Sequence, residues 1–273
     1  MTVGKLQLTN GYDVDFGQIA QFLAVVERDE RARIPLADLG NAIGLPYRQA
    51  ENVGSIVRAF DLAQSISYKL TPLAKTINAH DRFFDDIGTL WFLHYVIASE
   101  PRHIVWNRLV NEIMSQVQRF TRDEFRDVFA HLSVSHSQKS SKNHVLKEVN
   151  VTLDAYTKQG FSRLAYLTAG GDSSYILGYR EAVPPLVLAA CIARYRDKHR
   201  PGDTALAVTD LLTAPNSPGV VCQITEERLR AGLEALKTQP GMSLESRADL
   251  DQVRLTDTTL DYVWMERYYQ SRH

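Results

Sequence analysis

Arg48, Gln49 and Asn52 are the residues whose types and spacing fit a chemical task most directly. Arg can donate two hydrogen bonds to O6 and N7 of guanine, and Gln or Asn can pair with N6 and N7 of adenine. Arg48 and Asn52 are four positions apart, so a helix puts them on one face with Gln49 beside them, while Ala50 and Val53 turn inward. Tyr47 follows Pro46 at the start of that helix, and Lys69 and Lys75 suit flanking phosphates. A second set lies between positions 133 and 163. There Lys139, Lys142, Lys147, Lys158 and Arg163 face only Glu148 and Asp154, a local excess of three positive charges. Lys139, Ser140, Ser141, Lys142, Asn143 and His144 crowd the start of a longer helix, where free backbone N–H groups favour phosphate. A solvated helix face would carry similar residues. In the second set the charge excess is local rather than spread, which favours nucleic acid.

Catalysis needs converging groups, and the known patterns are missing. There is no GxSxG, P-loop, GxGxxG or HExxH, and no paired histidine–cysteine set. Asp81, Asp85 and Asp86 precede a helix, where acidic charge complements the helix dipole. His131, His136 and His144 match no zinc spacing. Trp91 and Trp106 fall on apolar helix faces and read as core. The expectation is a protein with no catalytic residues, no metal and no cofactor.

Composition bounds the rest. Hydrophobic residues make up 44% of the chain and charged residues 23%, enough apolar content for a sizeable core. A net charge of −1 excludes a wholly basic coat and leaves room only for a local basic face. Cys191 and Cys222 stand in no metal-ligand spacing and make no disulfide framework, which fits a reducing cytoplasm. No apolar run has the length of a signal peptide or a membrane span; the longest, Val183 to Ala193, is too short.

The elements that must position these residues are mostly helices. Phe16, Ile19, Phe22, Leu23 and Val26 recur at helical spacing from Phe16 to Glu30. A short helix follows Pro35, then a break at Gly44 to Pro46, then a longer helix with Ala50, Val53, Val57 and Phe60 inward. Ile66, Tyr68 and Leu70 alternate, which predicts a strand, and Thr71 caps the next helix. Helices are expected at Ile87–Ser99, around Val105 to Val117, and after Thr121, where Glu124 completes a capping box. Phe125, Val128, Phe129 and Leu132 predict a short helix, the stretch from Ser133 to His144 a polar linker, and Val145 to Tyr156 a longer helix. Leu164 to Tyr179 predicts a hairpin turning at Gly170-Gly171, attributed to positive φ at the glycines. Beyond Pro185 come an apolar helix to Lys198, a short helix from Ala205 to Thr213, a helix from Thr225, a hairpin around Ser246 to Asp249 and a last helix bearing Trp264.

The run YKLTPLAKTI, the run DDIGTLWFLHYVIAS from Asp85 to Ser99, and the later LLTAPNSPGVVCQITEERLRAGLEAL resemble a bacterial family known as domain of unknown function four thousand and seven. Thr89-Leu90-Trp91 with its flanking acids is the most specific piece, and the similarity spreads from about residue 36 to 256. The N-terminus lacks the glycine-histidine-glutamate opening associated with that family. The resemblance implies association with bacterial loci that modify or restrict foreign DNA, and it brings no catalytic residues.

The predicted fold is mainly α, with tandem winged-helix-like units carrying short β-hairpin wings around a central helical layer. The units are an N-terminal winged helix-turn-helix over 1–82, a helical layer with a second unit over 83–181, and a C-terminal unit over 182–273. The expected function is DNA binding by an accessory or regulatory protein of a modification or phage-defence system. Candidate contacts are Tyr47, Arg48, Gln49, Asn52, Lys69, Lys139, Lys142, Asn143 and Lys147. Double-stranded DNA is the expected partner, other proteins of the same system could join it, and a homodimer stays open. The competing class is a protein-interaction scaffold, because winged helices also serve as docking modules.

Overall fold

A computed structural model describes residues 6–31, 33–129, 138–178, 182–247, 250–255 and 259–272, with backbone alone at 138–142 and 250. The described chain is mainly helical, with two small antiparallel sheets. Asp15 starts helix α1 (Phe16–Arg28) by accepting hydrogen bonds from the backbone N–H groups of Gly17 and Gln18. Helices α2 (Leu36–Ala42) and α3 (Tyr47–Ala59) follow, with Gly44 in the left-handed region between them. Thr71 caps α4 (Pro72–His80) through the Ala74 N–H, as its position predicts.

The predicted strand after α3 does not form. Gln64 N–H donates to the Lys69 carbonyl, Tyr68 N–H donates to Gln64, and one bridge joins Ala63 to Leu70. Tyr68 takes a φ of 58°, which ends any extended run. Its ring instead packs under the Arg58 guanidinium at 5.0 Å, and Ile66 is left 70% exposed at the tip. The alternation of Ile66, Tyr68 and Leu70 thus marks a tight turn and not a strand.

Helix α5 (Ile87–Ala98) is buried on every side, consistent with a sequence that is apolar all round. Helix α6 (Ile104–Arg108) runs into a π-helical turn at Leu109–Ile113, and Val117, expected on its apolar face, lies outside the helix and is exposed. Strand β1 (Arg119–Thr121) leads into α7 (Arg122–Asp127), where Thr121 and Glu124 form the expected capping box. Leu132 lies outside the described residues. Helix α8 covers Gln138–Thr157, so the segment from Gln138 to His144 is helix and not linker. Its Lys, Ser and Gln residues are compatible with a helix, and nothing in it breaks one.

A 3-10 turn at Gly160–Leu164 precedes strands β2 (Leu167–Ala169) and β3 (Ser174–Leu177), the expected hairpin in shorter form. Tyr179 lies outside the described residues. The sheet order is β1-β3-β2, with Thr121 opposite Ser174 and Leu167 opposite Leu177. The positive φ in the turn falls on Ser173 and not on either glycine. Gly170 is needed for another reason: a Cβ there would meet Ser174 Oγ at 2.6 Å, whereas one on Gly171 would meet nothing.

Helix α9 (Pro185–His199) opens the last third. Strand β4 (Ala205–Ala207), read as helix in the sequence, pairs with a later strand before α10 (Val208–Thr213) begins. Then come α11 (Pro218–Val221), α12 (Glu226–Ala235), β5 (Met242–Arg247), β6 (Leu250–Leu255) and α13 (Asp261–Gln270). The second sheet has the order β4-β6-β5. Strand, helices and hairpin therefore follow one another in the same order twice, and each time the first strand pairs with the last. The first third is a reduced version: Ile34 N–H reaches the Ser67 carbonyl where a first strand would pair.

One cluster of buried hydrophobic residues runs through all three thirds of the chain. Polar joints cross it. Glu148 of α8 accepts hydrogen bonds from Thr9 N–H (3.0 Å), Thr9 Oγ1 (2.8 Å) and Trp106 Nε1 (3.1 Å). Arg194 of α9 reaches Asp61 at 3.0 Å and Asp261 at 2.8 Å. At the start of α5, Asp86 caps Gly88 and Thr89, accepts the Tyr268 hydroxyl and faces Arg272 at 3.2 Å.

Two predictions come from these joints. Asp86→Ala removes a cap and a tie to α13, costs about 2 kcal/mol and lowers Tm by roughly 4–8 °C in a thermal melt. Burial pushes the Glu148 carboxyl above its usual value of 4.5, against the hydrogen bonds that favour its ionised form. A carboxyl whose folded value is raised binds its proton more tightly when folded, so its contribution is fullest at low pH and is lost as pH rises through that raised value. Relative to Glu148→Gln, the wild type should lose stability across that window in denaturant melts. A constant difference would show that the carboxyl does not titrate differently in the folded chain.

Candidate nucleic-acid interface

The face of α3 that the sequence marks is only partly open. Arg48 is exposed, Tyr47 is 59% exposed and Gln49 is half-buried. Pro46 provides no side-chain cap, so the first backbone N–H groups of α3 have no side-chain partner there. Asn52 is 2% exposed, and its amide nitrogen donates to the Asp13 carbonyl at 3.4 Å. It faces the N-terminal segment and cannot read a base, which corrects the grouping of Arg48, Gln49 and Asn52. The helix spacing was right, but residues 6–15 cover that part of the face. Lys69 is half-buried and its ammonium donates to the Asp29 carbonyl at 2.8 Å, so it holds the turn against the end of α1 and is not free for phosphate.

On α8, Asn143, His144 and Lys147 are exposed. The backbone at Lys139 and Lys142 is helical, and their side chains lie outside the described residues, as do His131 and His136. The other cations counted in this stretch are engaged. Lys158 pairs with Asp154 at 2.8 Å, and Arg163 donates to the carbonyls of Phe84 and Asp85. The remaining cations of this stretch are Lys139, Lys142 and Lys147.

The N-terminal segment links the two helices. Thr9 binds Glu148 on α8, Gly11 lies against the aliphatic stem of the neighbouring Lys147, and Asp13 accepts from Asn52 on α3. The sequence offers no signal for this strap beyond Leu6 and Leu8.

The acidic cluster is structural. Asp81 accepts the N–H groups of Asp85 (2.7 Å) and Asp86 (3.1 Å), and Asp86 caps α5. Among the described residues, no group of three or more His, Cys, Asp or Glu side chains is arranged to hold a metal ion. Trp91 and Trp106 are core residues, as expected.

Sequence reading missed His94, which is fully buried. Its Nε2 faces the Val221 carbonyl at 2.9 Å and its Nδ1 faces the Tyr156 hydroxyl at 2.6 Å. A carbonyl only accepts, so Nε2 carries the proton, and Nδ1 of the neutral ring accepts from Tyr156. Cys191 and Cys222 are both buried, and burial pushes the Cys191 thiol up, so neither has the exposed, electropositive setting of a reactive thiolate.

The third repeat has a different surface. Helix α12 opens with Glu226 and Glu227, and its Arg230 is paired with Glu226 (2.9 Å) and Asp251 (2.8 Å). On the hairpin beside it, Arg254 pairs with Glu245 at 3.0 Å.

Among the described residues, no helix is long and apolar enough to cross a membrane. Comparison with curated protein sequences finds no match. Among solved structures the chain is similar to the magnesium ion-bound SspB crystal structure, with a TM-score of 0.81 and 17% identity, covering 98% of this chain and 88% of that one. It is also similar to the SspB crystal structure, with a TM-score of 0.79 and 16% identity, covering 99% and 88%. At these identities the likeness establishes the fold. The family described as protein of unknown function (DUF4007) matches residues 56–269, most of the chain, and this protein belongs to that family.

Proposed function

We propose that this protein binds double-stranded DNA through winged-helix units, as a non-catalytic accessory or regulatory component of a bacterial DNA-modification or phage-defence system. The observation that carries the reading is the placement of open polar side chains on the helix preceding the hairpin or turn in the first two repeats. On α3 these are Tyr47 and Arg48, with Gln49 at the edge; on α8 they are Asn143 and Lys147, with Lys139 and Lys142 one turn or more before. A winged helix uses that helix to enter the major groove, and the flanking cations meet phosphates. The strap at residues 9–13 joins both helices and would hold the two surfaces in a fixed relation.

The rival reading, a docking scaffold, is favoured at the third repeat. The acidic first turn of α12 repels phosphate, and Arg230 and Arg254 there are held in ion pairs. The third unit is thus assigned to a protein partner of the same system and the first two to DNA.

Magnesium is a property of the SspB in the similar structure. The nearest acidic cluster in this chain, Asp81, Asp85 and Asp86, spends its carboxylates on backbone N–H groups, Tyr268, Arg272 and Arg163. These residues do not fit a ready cation site.

A salt-series binding assay with duplex DNA tests the proposal. Changing Lys139, Lys142 and Lys147 together to Ala should weaken binding across all sequences and reduce the salt slope by about one unit per lost contact. Arg48→Ala should relax base preference by about 1–3 kcal/mol at its position while sparing non-specific affinity. Wild-type protein that ignores duplex DNA at low salt, yet captures a protein partner, would move the assignment to the scaffold.

A further inference from the structure

An open groove of about 460 Å³ lies between the start of α7 and the hairpin turn of the second repeat. Thr121, Arg122 and Asp123 form one wall, and Gly170, Ser173 and Tyr175 form the other. Neither the sequence reading nor the placement of α8 assigns this groove a role.

Its charges are nearly all neutralised in pairs. Arg119 faces Asp172 at 3.5 Å, Arg126 faces Asp123 at 3.1 Å, and Lys158 faces Asp154 at 2.8 Å. Arg122 differs. It is exposed, it donates to a neutral oxygen, the Tyr175 hydroxyl at 3.0 Å, and among the described residues no carboxylate is within ion-pair distance of it. Tyr175 is a rigid anchor: its ring is buried, stacks on Phe120 at 5.7 Å, and sits in register opposite that residue in the sheet. A guanidinium held at the wall of a groove, with only a hydroxyl for a partner, is short of one negative charge.

We propose that this groove takes a single phosphodiester group of a nucleic-acid backbone, with Arg122 as its main contact and Tyr175 as the residue that positions Arg122. A phosphodiester carries one negative charge and offers two oxygens to a guanidinium fork. A free nucleotide or inorganic phosphate carries more charge than the single unpaired guanidinium balances. The inference rests on the DNA-binding reading and adds a backbone contact at the wing of the second repeat, apart from the lysines of α8.

The test uses the full chain and a short DNA duplex over a salt series, with thermal melts as a check on folding. Arg122→Gln should weaken binding by about tenfold and lower the salt slope by about one unit. Arg122→Lys should keep the slope and recover part of the affinity. Tyr175→Phe should keep the slope and lose affinity by about threefold, since the charge stays and its aim is lost. Arg119→Gln combined with Asp172→Asn, which removes an already neutralised pair, should bind as the wild type does. In the wild-type protein, the backbone amide resonances from Gly170 to Tyr175 should move on adding duplex and stay in place with inorganic phosphate at equal ionic strength. If the wild type binds duplex while Arg122→Gln matches it in affinity and slope, or those amides stay still, the groove is not a phosphodiester site and the DNA reading survives. If the wild type binds no duplex at any salt, both fall together.

Discussion

The carbonyl of Val221 is the point on which the second and third parts of this chain converge. It ends the four-residue helix α11, so no helical N–H follows to satisfy it. Two donors arrive from elsewhere: His94 Nε2 at 2.9 Å from α5, and the Tyr166 hydroxyl at 2.6 Å from beside β2. The other ring nitrogen of His94 takes the Tyr156 hydroxyl of α8. Rings of Trp91, Trp106 and Phe161 pack around these groups. Each member of such a relay is buried, so moving one repeat strands the polar atoms of the others at a cost of about 1–3 kcal/mol each. The relative placement of the repeats is therefore set by hydrogen-bond satisfaction as much as by apolar area.

The buried charges act in the same sense. Burial works to lower the Arg194 guanidinium, and the carboxylates of Asp261 and Asp61 outweigh it. That one side chain binds α9 to the end of α3 and to the start of α13. Glu148 does the corresponding work for the N-terminal strap. Neither joint is strongly stabilising in net terms, because desolvation offsets most of the attraction. Removing one partner, however, leaves a bare charge or several unpaired donors. Geometry is what these contacts specify.

Local signals in the sequence carried most of the helical frame. Thr71, Thr121 with Glu124, and Thr225 each cap the helix that their type and position announce. The hairpin at Gly170-Gly171 was legible because its strands alternate and its turn residues are small. Where reading failed, the deciding interaction was distant. Ile66, Tyr68 and Leu70 alternate like a strand, yet Arg58 draws the Tyr68 ring into a turn. Strand β4 is only three residues, Ala-Leu-Ala, and exists because β6 offers it a partner. Asn52 has the right type and spacing for a base contact, and a carbonyl thirty-nine positions earlier takes its amide. His94 stands in an unbroken apolar helix, where no local pattern reveals that both of its nitrogens will be engaged. Arg122 carries no local signal in the sequence; its lack of a carboxylate is visible only in three dimensions.

The repeats share an order of elements and differ in what they leave uncovered. In the first, a strap of the chain's own N-terminus occupies half of the helix face and leaves Tyr47 and Arg48 at its end. In the second, the long helix leaves Asn143, His144 and Lys147 exposed and the sheet keeps a groove with one unneutralised guanidinium. In the third, the corresponding helix begins with two glutamates and its Arg230 is spent on neighbouring carboxylates. A fold that recurs with its surface chemistry changed each time cannot have one function assigned to it as a whole. What each repeat can bind follows from which charges its own neighbours have already satisfied, and by that measure the first two are left with cations and the third is left with acids.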